Sequence, residues 1–290
     1  MYFSKSLYFA AIHLAWYASA CQSCEGMNKL ERRQEATDFS YLGLTGPVDW
    51  LQFEGTCGKG KQQSPINVVS TMKVSSLGDS GEYPDIGATG YNFTNTGRTV
   101  EVFYKGPKAT LGGVDYELQR FHFHTPSEHR LDDEWFPMEL HFVHSAVADP
   151  TKLAVVGIFI DTSEENKSDP LMARLAKLLP SIDNKGDTTI ATYVPLGGAR
   201  TAITNAKKFT YSGSLTTPPC TEGVTWYVSN TVLDISVADY KAFKRVLGYN
   251  SRNLQADPGK QNIVEFAAQF VTGGQAAPEK RSFAAKRFSA

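Results

Sequence analysis

The feature that most constrains this chain is the alternating run Phe-His-Phe-His at residues 121–124. Alternation with period two is typical of a β-strand, so the imidazoles of His122 and His124 would point to the same side. A second apolar run, residues 138–144, contains His141 and is close enough in the chain to form a neighbouring strand. The pattern predicts a sheet with three histidines on one face.

These three histidines have the composition of a catalytic zinc site. Three imidazoles with an open fourth position suit a catalytic Zn²⁺, whereas structural sites usually close the tetrahedron with a further protein ligand. An isolated His-x-His pair is more often two histidines with ordinary hydrogen bonds. Glu139 favours the metal, because it lies two residues before His141 on the same predicted face and can accept an N–H of a ligand imidazole. We therefore predict a zinc site that activates water.

Length and charge limit the alternatives. A chain of 290 residues is long enough for one domain of about 220–230 residues with an extension at each end. The formal net charge of −1 predicts no basic face for nucleic acid or an anionic membrane. We therefore expect neither of these as a partner.

The amino terminus has the pattern of a secretory signal peptide at residues 1–20. Lys5 precedes an apolar run at residues 7–17, and small residues at 18–20 form a cleavage site. The apolar run is too short for a membrane-spanning helix and contains His13. No later part of the sequence is apolar enough to span a bilayer, so we predict a secreted, extracellular protein.

The rest of the chain divides into three parts. Residues 21–38 are polar and contain a dibasic pair at 32–33, which predicts a propeptide or a flexible extension. The main domain is predicted at residues 39–272. Residues 273–290, with a second dibasic pair, are predicted to form a flexible tail.

Strands dominate the predicted secondary structure of the main domain. The segment 41–92 is rich in Gly, Ser and Pro, which predicts loops and short strands. The clearer predicted strands, rich in β-branched and aromatic residues, are 99–104, 117–124, 139–144, 154–160, 207–211 and 224–228. One helix is predicted to begin at Asp169-Pro170 and end before Pro180, and another to span 236–247 with Ser236 as its N-cap.

The motifs, taken in order, resemble those of the alpha-class carbonic anhydrases. The resemblance runs from residue 41 to about residue 255. It includes the histidine motifs together with Gly46-Pro47, Trp50, Gln63-Ser64-Pro65-Ile66-Asn67, the apolar run 153–159 and the segment Tyr211 to Pro219.

The resemblance implies a mainly β fold, with a large twisted, mostly antiparallel central sheet and short peripheral helices. It implies a secreted zinc enzyme that hydrates carbon dioxide reversibly to bicarbonate and a proton, with weak esterase activity. Inorganic anions and sulfonamides would inhibit it, and a homodimer is left open. The alternative is a non-catalytic binding or adhesion domain, whose examples usually lack one or more of the zinc histidines.

The resemblance also assigns roles to residues around the metal. Thr216 would accept a hydrogen bond from the activated water and donate one to Glu128, an acceptor-only group that fixes the direction of both hydrogen bonds. Thr217 would border the substrate. The apolar wall that receives carbon dioxide would comprise Val143, Val155, Leu215, Val224 and Trp226.

The residues that would hydrogen-bond the metal ligands depart from the family at one position. Glu139 and Asn250 match the family, but Arg120 stands where a Gln accepts the free N–H of the first ligand, and the Gln of this chain is Gln119. Arg only donates. Either a bulge rotates Gln119 toward His122, or His122 uses water or backbone as its acceptor. A Pro that often follows the family's Asn and Arg near residue 250 is also missing.

A further departure concerns the proton relay. Fast members of the family relay it through a His in the sequence Asn-Gly-His, and Arg98 occupies the matching position here. Arg98 does not release its proton at ordinary pH. We expect proton transfer to external buffer to limit kcat.

Four cysteines allow three pairings, which sequence alone does not distinguish. The resemblance pairs Cys57 with Cys220, a bridge that would fix the loop carrying Thr216. Cys21 and Cys24 would pair with each other, pair between chains, or leave with a propeptide.

Four further residues carry weaker signals. Asn92 and Asn166 begin N-glycosylation sequons at predicted loops. His129 and His144 match structural positions of the family, where they satisfy buried polar groups rather than bind zinc.

Overall fold

The computed structural model describes residues 39–53, 55–75 and 80–267. The predicted signal peptide, the extension 21–38, the tail 273–290 and the cysteines Cys21 and Cys24 lie outside these residues. The strands are β1 (Asn67–Val68), β2 (Val74–Ser75), β3 (Ser80–Glu82), β4 (Tyr91–Asn95), β5 (Val100–Val102), β6 (Lys108–Leu111), β7 (Val114–His124), β8 (Arg130–Leu131), β9 (Met138–Ala146), β10 (Leu153–Thr162), β11 (Thr188–Ala191), β12 (Lys208–Ser214) and β13 (Glu222–Ile235). The α-helices are α1 (Pro170–Ala176), α2 (Gly197–Thr204) and α3 (Val237–Leu247), and short 3₁₀ turns occur at Gly43–Thr45, Trp50–Gln52 and Leu179–Ile182.

One large sheet of 11 strands organises the domain. Its main path runs β11-β4-β5-β7-β9-β10-β13-β12-β2, and β6 joins it through β7 and carries β3. The pair β10 and β13 is parallel, while β7, β9 and β10 at the centre pair antiparallel. A separate parallel pair joins β1 to β8. The predicted fold, mainly β with a large mostly antiparallel sheet and short helices, is confirmed.

The register between β7 and β9 places the histidine motifs beside each other. His122 lies opposite His141 in this pairing. The register shifts between Leu118 and Arg120, so the extra residue of the bulge is Gln119. Because such a shift turns the preceding residues to the other face, Leu118 joins Phe121 in the apolar core rather than sharing the face of His122.

The two faces of the sheet carry separate apolar clusters. The larger one, here called the core-face cluster, combines strand and helix residues that include Leu118, Phe121, Phe123, Leu140, Phe142, Leu171, Ala199 and Phe243. The smaller one, here called the site-face cluster, comprises Ile66, Val68, Phe136, Val143, Val155, Phe159, Phe209, Tyr211, Val224, Trp226 and Val228. The short helices therefore cover one face, and the other face remains for the histidines.

The predicted elements correspond to strands and helices that the structure contains, mostly with shifted ends. Helix α1 begins where Asp169 accepts a hydrogen bond from the backbone N–H of Leu171, and α3 begins where Ser236 caps Asp239. Helix α2 was missed because its sequence opens with two glycines and includes two threonines, which are weak helix formers. Within the described residues, no helix is long and apolar enough to cross a membrane.

Candidate active site

Three imidazoles converge on the site face. The ring centroids lie 5.0 Å apart for His122 and His124, 5.2 Å for His122 and His141, and 4.6 Å for His124 and His141. One nitrogen from each ring lies within 4.8 Å of the other two, which is close enough to share one metal ion. Alternation along β7 supplies the first two rings, and the register with β9 supplies the third.

The second nitrogens of two rings are already hydrogen-bonded. Nδ1 of His124 donates to the backbone oxygen of Asn250 at 2.7 Å, which leaves Nε2 buried and without a partner among the described residues. Nε2 of His141 donates to Oε1 of Glu139 at 2.7 Å, which leaves Nδ1 for the site. These bonds fix both the tautomer and the orientation of the rings, as outer acceptors do for metal ligands.

Glu139 is the hydrogen-bonding centre behind the triad. Its Oε1 also accepts from Nδ1 of His129 at 2.7 Å, and its Oε2 accepts the backbone N–H groups of Glu128 and His129, each at 2.8 Å. Burial alone would raise the pKa of Glu139, but the imidazoles of His129 and His141 outweigh it and hold the pKa well below its usual range. Glu139 is therefore an ionised acceptor that receives every one of these hydrogen bonds.

Sequence reasoning gave His129 a structural position without naming its partners. Its Nε2 lies 2.7 Å from the hydroxyl of Tyr211, and Ser64 Oγ lies 2.8 Å from the same hydroxyl. Since Nδ1 of His129 donates to Glu139, Nε2 must accept from Tyr211, and Ser64 must donate to Tyr211. Ser64 and Tyr211 both occur in the sequence motifs, but nothing in their spacing indicated that they meet.

Glu128 lies next to the triad with one oxygen committed. Its Oε1 accepts the backbone N–H of Arg252 at 2.9 Å. Its Oε2 is buried and has no hydrogen-bond partner among the described residues, so this oxygen can accept a further hydrogen bond. Thr216 is buried too, although no hydrogen bond joins it to Glu128 in the described part of the chain.

The predicted disulfide between Cys57 and Cys220 is confirmed. Its Cα atoms lie 5.0 Å apart, and both cysteines are buried. Further bonds hold the same loop, because the backbone N–H of Thr56 donates to Pro219 O at 3.0 Å and Gln63 Nε2 donates to Cys220 O at 3.1 Å. The bridge therefore anchors the segment that carries Thr216.

Arg252 ties this loop region to Glu128. Its Nη1 donates to Ser64 O at 2.7 Å, and its Nη2 donates to Gln63 Oε1 at 2.9 Å. Burial lowers the pKa of Arg252 to about 10. The guanidinium therefore stays charged at neutral pH while it crosslinks two segments that are far apart in sequence.

The departure at the first histidine has a structural consequence. The bulge does occur, but Gln119 Nε2 donates to Ser145 Oγ at 2.9 Å and not toward the triad. Arg120 pairs instead with Glu101, its Nε lying 3.3 Å from Oε2. Nδ1 of His122 is consequently buried without a hydrogen-bond partner in the described ranges.

Two imidazoles of the triad have pKa values that keep them neutral at neutral pH. Burial lowers the pKa of His122 well below its usual range, and the neighbouring His124 and His141 add to the effect. Burial likewise lowers the pKa of His124. Neutral imidazole is the form that coordinates a metal, so the site is electrically ready for one.

The predicted apolar wall lies beside the triad. Val143, Val155, Val224 and Trp226 belong to the site-face cluster, and Leu215 packs against it. Val155 lies between Val143 on β9 and Trp226 on β13 in the strand pairing. The Trp226 ring lies 4.9 Å from the ring of His141, so apolar surface begins directly at the metal ligands.

Four further predicted positions lie around this region or on the surface. The backbone oxygen of Arg98 accepts from Nδ2 of Asn250, so the shuttle position is tied to a residue that also contacts His124. Thr217 is partly buried, in the loop closed by the disulfide. Asn92 and Asn166 are both exposed, but the predicted loop is wrong for Asn92, which lies in strand β4.

The donor set indicates the class of protein. Three imidazoles that could share one metal ion are typical of catalytic rather than structural metal centres, so the site indicates the class of metal-dependent enzymes. The family model described as eukaryotic-type carbonic anhydrase matches residues 45–264. The chain therefore belongs to the alpha-class carbonic anhydrase family, and the names within this family indicate a lyase.

Known relatives cover most of the chain. A carbonic anhydrase of Neisseria gonorrhoeae is 33% identical over 230 residues, which are 76% of this chain and 84% of the relative. Dioscorin dioA3 of Dioscorea japonica is 30% identical over 249 residues, covering 83% of this chain and 88% of the relative.

Solved structures agree with this family. The fungal alpha carbonic anhydrase of Aspergillus oryzae has a TM-score of 0.74 and 37% identity, and the match covers 80% of this chain and 98% of that structure. The Thermovibrio ammonificans alpha carbonic anhydrase, solved with the inhibitor sulfanilamide, has a TM-score of 0.68 and 28% identity, covering 78% and 98%.

Proposed function

We propose that this protein is a zinc enzyme that hydrates carbon dioxide reversibly to bicarbonate and a proton, with weak esterase activity at the same site. The observation that carries the proposal is the triad His122, His124 and His141, whose nitrogens lie within 4.8 Å of one another. The residues fit zinc, because the ligands are imidazoles and the rings of His124 and His141 already donate their other N–H to an acceptor.

In carbonic anhydrases themselves, zinc is known to lower the pKa of its bound water to about 7, which supplies a nucleophile at neutral pH. The protein must then orient that water. In the proposed reaction, Thr216 Oγ accepts a hydrogen bond from the attacking water and turns its own O–H toward Oε2 of Glu128, which is buried and has no partner among the described residues. The direction is fixed because Glu128 only accepts and its Oε1 is occupied by Arg252.

Carbon dioxide binds to the apolar wall beside the triad. It carries no charge and no net dipole, so apolar side chains receive it without a desolvation cost. Val143, Val155 and Trp226 form this surface together with Leu215 and Val224. Thr217, next to Thr216, borders the same space and contacts the bicarbonate product.

The location, domain bounds, glycosylation and inhibitors of the enzyme are inferred from separate features of the chain. We infer secretion after removal of residues 1–20, which the buried disulfide supports because such bonds persist in oxidising compartments. Residues 39–272 form the catalytic domain, and the exposed sequons at Asn92 and Asn166 carry glycans. Sulfonamides and inorganic anions would inhibit the enzyme by binding to the metal that His122, His124 and His141 would hold.

The alternative function is a non-catalytic binding domain on the same fold. The match to dioscorin dioA3, a family relative with a different name, is the observation that keeps it in view. Binding alone does not require three histidines that can share a metal ion together with Glu128 and Thr216. The complete set supports the enzyme.

The test is zinc content together with carbon dioxide hydration, measured on the secreted protein by metal analysis and stopped-flow pH change. We expect about one zinc per chain, hydration that sulfanilamide suppresses, and loss of both after chelation with recovery on adding zinc. Protein that holds zinc but does not hydrate carbon dioxide would support the binding domain instead. Protein that takes up no zinc would contradict the proposal outright.

A further inference from the structure

One histidine of the triad lacks the acceptor that the other two have. His124 donates to Asn250 and His141 donates to Glu139, whereas Nδ1 of His122 is buried with no hydrogen-bond partner among the described residues. Metal-ligating histidines almost always donate their other N–H, and a buried N–H without a partner is costly. The metal centre is therefore incomplete at this nitrogen.

The neighbouring strand places a carboxylate on the same side. Glu101 on β5 lies directly opposite His122 on β7 in the antiparallel pairing. Residues opposite each other have Cβ atoms about 4.5–5.5 Å apart on one face of the sheet. Val100 and Val102, which flank Glu101, belong to the core-face cluster, so Glu101 points to the site face with His122.

Arg120 holds this carboxylate in place. It lies two residues before His122 on the same strand, and its Nε is 3.3 Å from Oε2 of Glu101. The Arg120 side chain is 43% exposed and that of Glu101 is 14% exposed, so the carboxylate lies deeper than its partner. A carboxylate has about four acceptor positions, so the contact with Arg120 does not saturate it.

We infer that Glu101 is a positioning residue of the metal centre, whose carboxylate, held by Arg120, accepts the Nδ1–H of His122 through one ordered water molecule. The inference rests on the proposed zinc site. No direct bond joins Glu101 to His122 in the described residues, and a water between them has the imidazole N–H, the carboxylate and the guanidinium as polar partners, enough to hold a buried water. The Arg120–Glu101 pair thus replaces the single Gln acceptor of the family.

The experiment measures the zinc dissociation constant by competition with a chromophoric chelator at neutral pH. Glu101→Leu is expected to weaken zinc binding by about 10- to 100-fold, as loss of an outer acceptor typically does. Glu101→Gln keeps an acceptor without its charge, so a smaller loss is expected. The double variant Glu101→Leu/Arg120→Gln places an acceptor two residues before His122 again and is expected to recover most of the affinity that Glu101→Leu loses, a non-additive result.

Asp183→Asn is the matched control. It removes an ion pair of the same N–O distance, 3.3 Å to Arg245 in α3, and leaves the site face untouched. Its zinc affinity is expected to equal that of the wild type. Thermal unfolding of the zinc-free variants reports whether each one folds.

Two results overturn the inference. One is a dissociation constant for Glu101→Leu within about twofold of the wild type, which is below the loss expected for an outer acceptor. The other is weaker zinc binding that merely follows a lower unfolding temperature and is not recovered in the double variant. A wild-type protein that binds no zinc contradicts the proposed function instead, so the two failures are distinguishable.

Discussion

Strand β7 contributes side chains to two different regions, the apolar core face and the polar site face. On the core face, Phe121 and Phe123 are fully buried among apolar neighbours. On the site face of the same strand, His124 is equally buried but is held by a directional bond to Asn250. Burial alone therefore does not distinguish the two regions. What differs is that packing holds one face and hydrogen bonds hold the other.

This difference indicates how each region fails. An apolar cluster loses stability in proportion to the volume removed, because neighbouring side chains relax only partly. A buried polar network loses a specific geometry when one acceptor goes, because the remaining partner is left unpaired. Substitutions on the core face should therefore change the free energy of unfolding, and substitutions on the site face should change zinc binding or rate.

The largest effect is expected for His124→Ala. Losing one of three ligands removes zinc and activity together, with carbon dioxide hydration falling by at least about three orders of magnitude. Metal analysis and stopped-flow hydration check this. Retention of both zinc and rate would contradict the triad. His144→Gln, a change on the core face, should keep its zinc.

Phe121→Ala tests the core face of β7, at the position next to His122. We expect a loss of about 3–5 kcal/mol in the free energy of unfolding, because a fully buried ring leaves a cavity. Urea unfolding measures it. The folded fraction should still bind one zinc per chain with a nearly unchanged dissociation constant. A large loss of zinc affinity in protein that remains folded would mean that the two faces are not separable.

Thr216→Ala divides the site face itself into binding and orientation. The substitution removes a hydroxyl and no metal ligand, so zinc content should stay at one per chain. We expect kcat/KM to fall on the order of 10²-fold, because the attacking water loses its orientation toward the substrate. An unchanged rate would show that Thr216 and Glu128 do not orient the water.

His144 is a polar exception on the core face, and it predicts a pH dependence. Its Nε2 lies 2.7 Å from the Tyr83 hydroxyl, and burial lowers its pKa to about 4. Between this value and the unfolded pKa of about 6.5, only the unfolded chain binds the proton, so stability falls as the pH falls. Between pH 7 and pH 5 the loss should be about 2 kcal/mol.

His144→Gln should lack this component, because the amide does not titrate. The measurement is urea unfolding of both proteins at pH 7 and pH 5, with zinc present throughout. If the wild type and the variant lost stability equally over this range, His144 would not be the responsible group.

The smallest effect concerns Arg98, whose backbone oxygen accepts a hydrogen bond from Asn250 beside His124. Since Arg98 cannot relay a proton, kcat of the wild type should rise with buffer concentration, while kcat/KM stays constant. Arg98→His should raise kcat by up to about tenfold, because imidazole titrates near neutral pH and can relay the proton. The kcat of this variant should also depend less on buffer concentration. A wild-type kcat that is already indifferent to buffer would show that another group carries the proton.

Much of this arrangement could be predicted from the sequence, because it depends on local periodicity. Alternation along residues 121–124 put His122 and His124 on one face without any knowledge of the fold. The capping residues Asp169 and Ser236 marked the start of two helices, because an N-cap needs only its own next few residues. The pairing of Cys57 with Cys220 came from the family resemblance rather than from spacing.

Long-range register was decided only in the tertiary structure. The bulge between Leu118 and Arg120 directs Gln119 to Ser145 and leaves His122 without its usual acceptor, an outcome that sequence reasoning left open. The carbonyl of Asn250 reaches His124 across 126 positions, and alternation along a single strand cannot reveal such a contact. A strand's own residues determine which side chains share a face, whereas the packing of the whole core determines which strand lies opposite and at what offset. His122 shows both: its face follows from its neighbours in sequence, and its position opposite Glu101 follows from the assembled sheet.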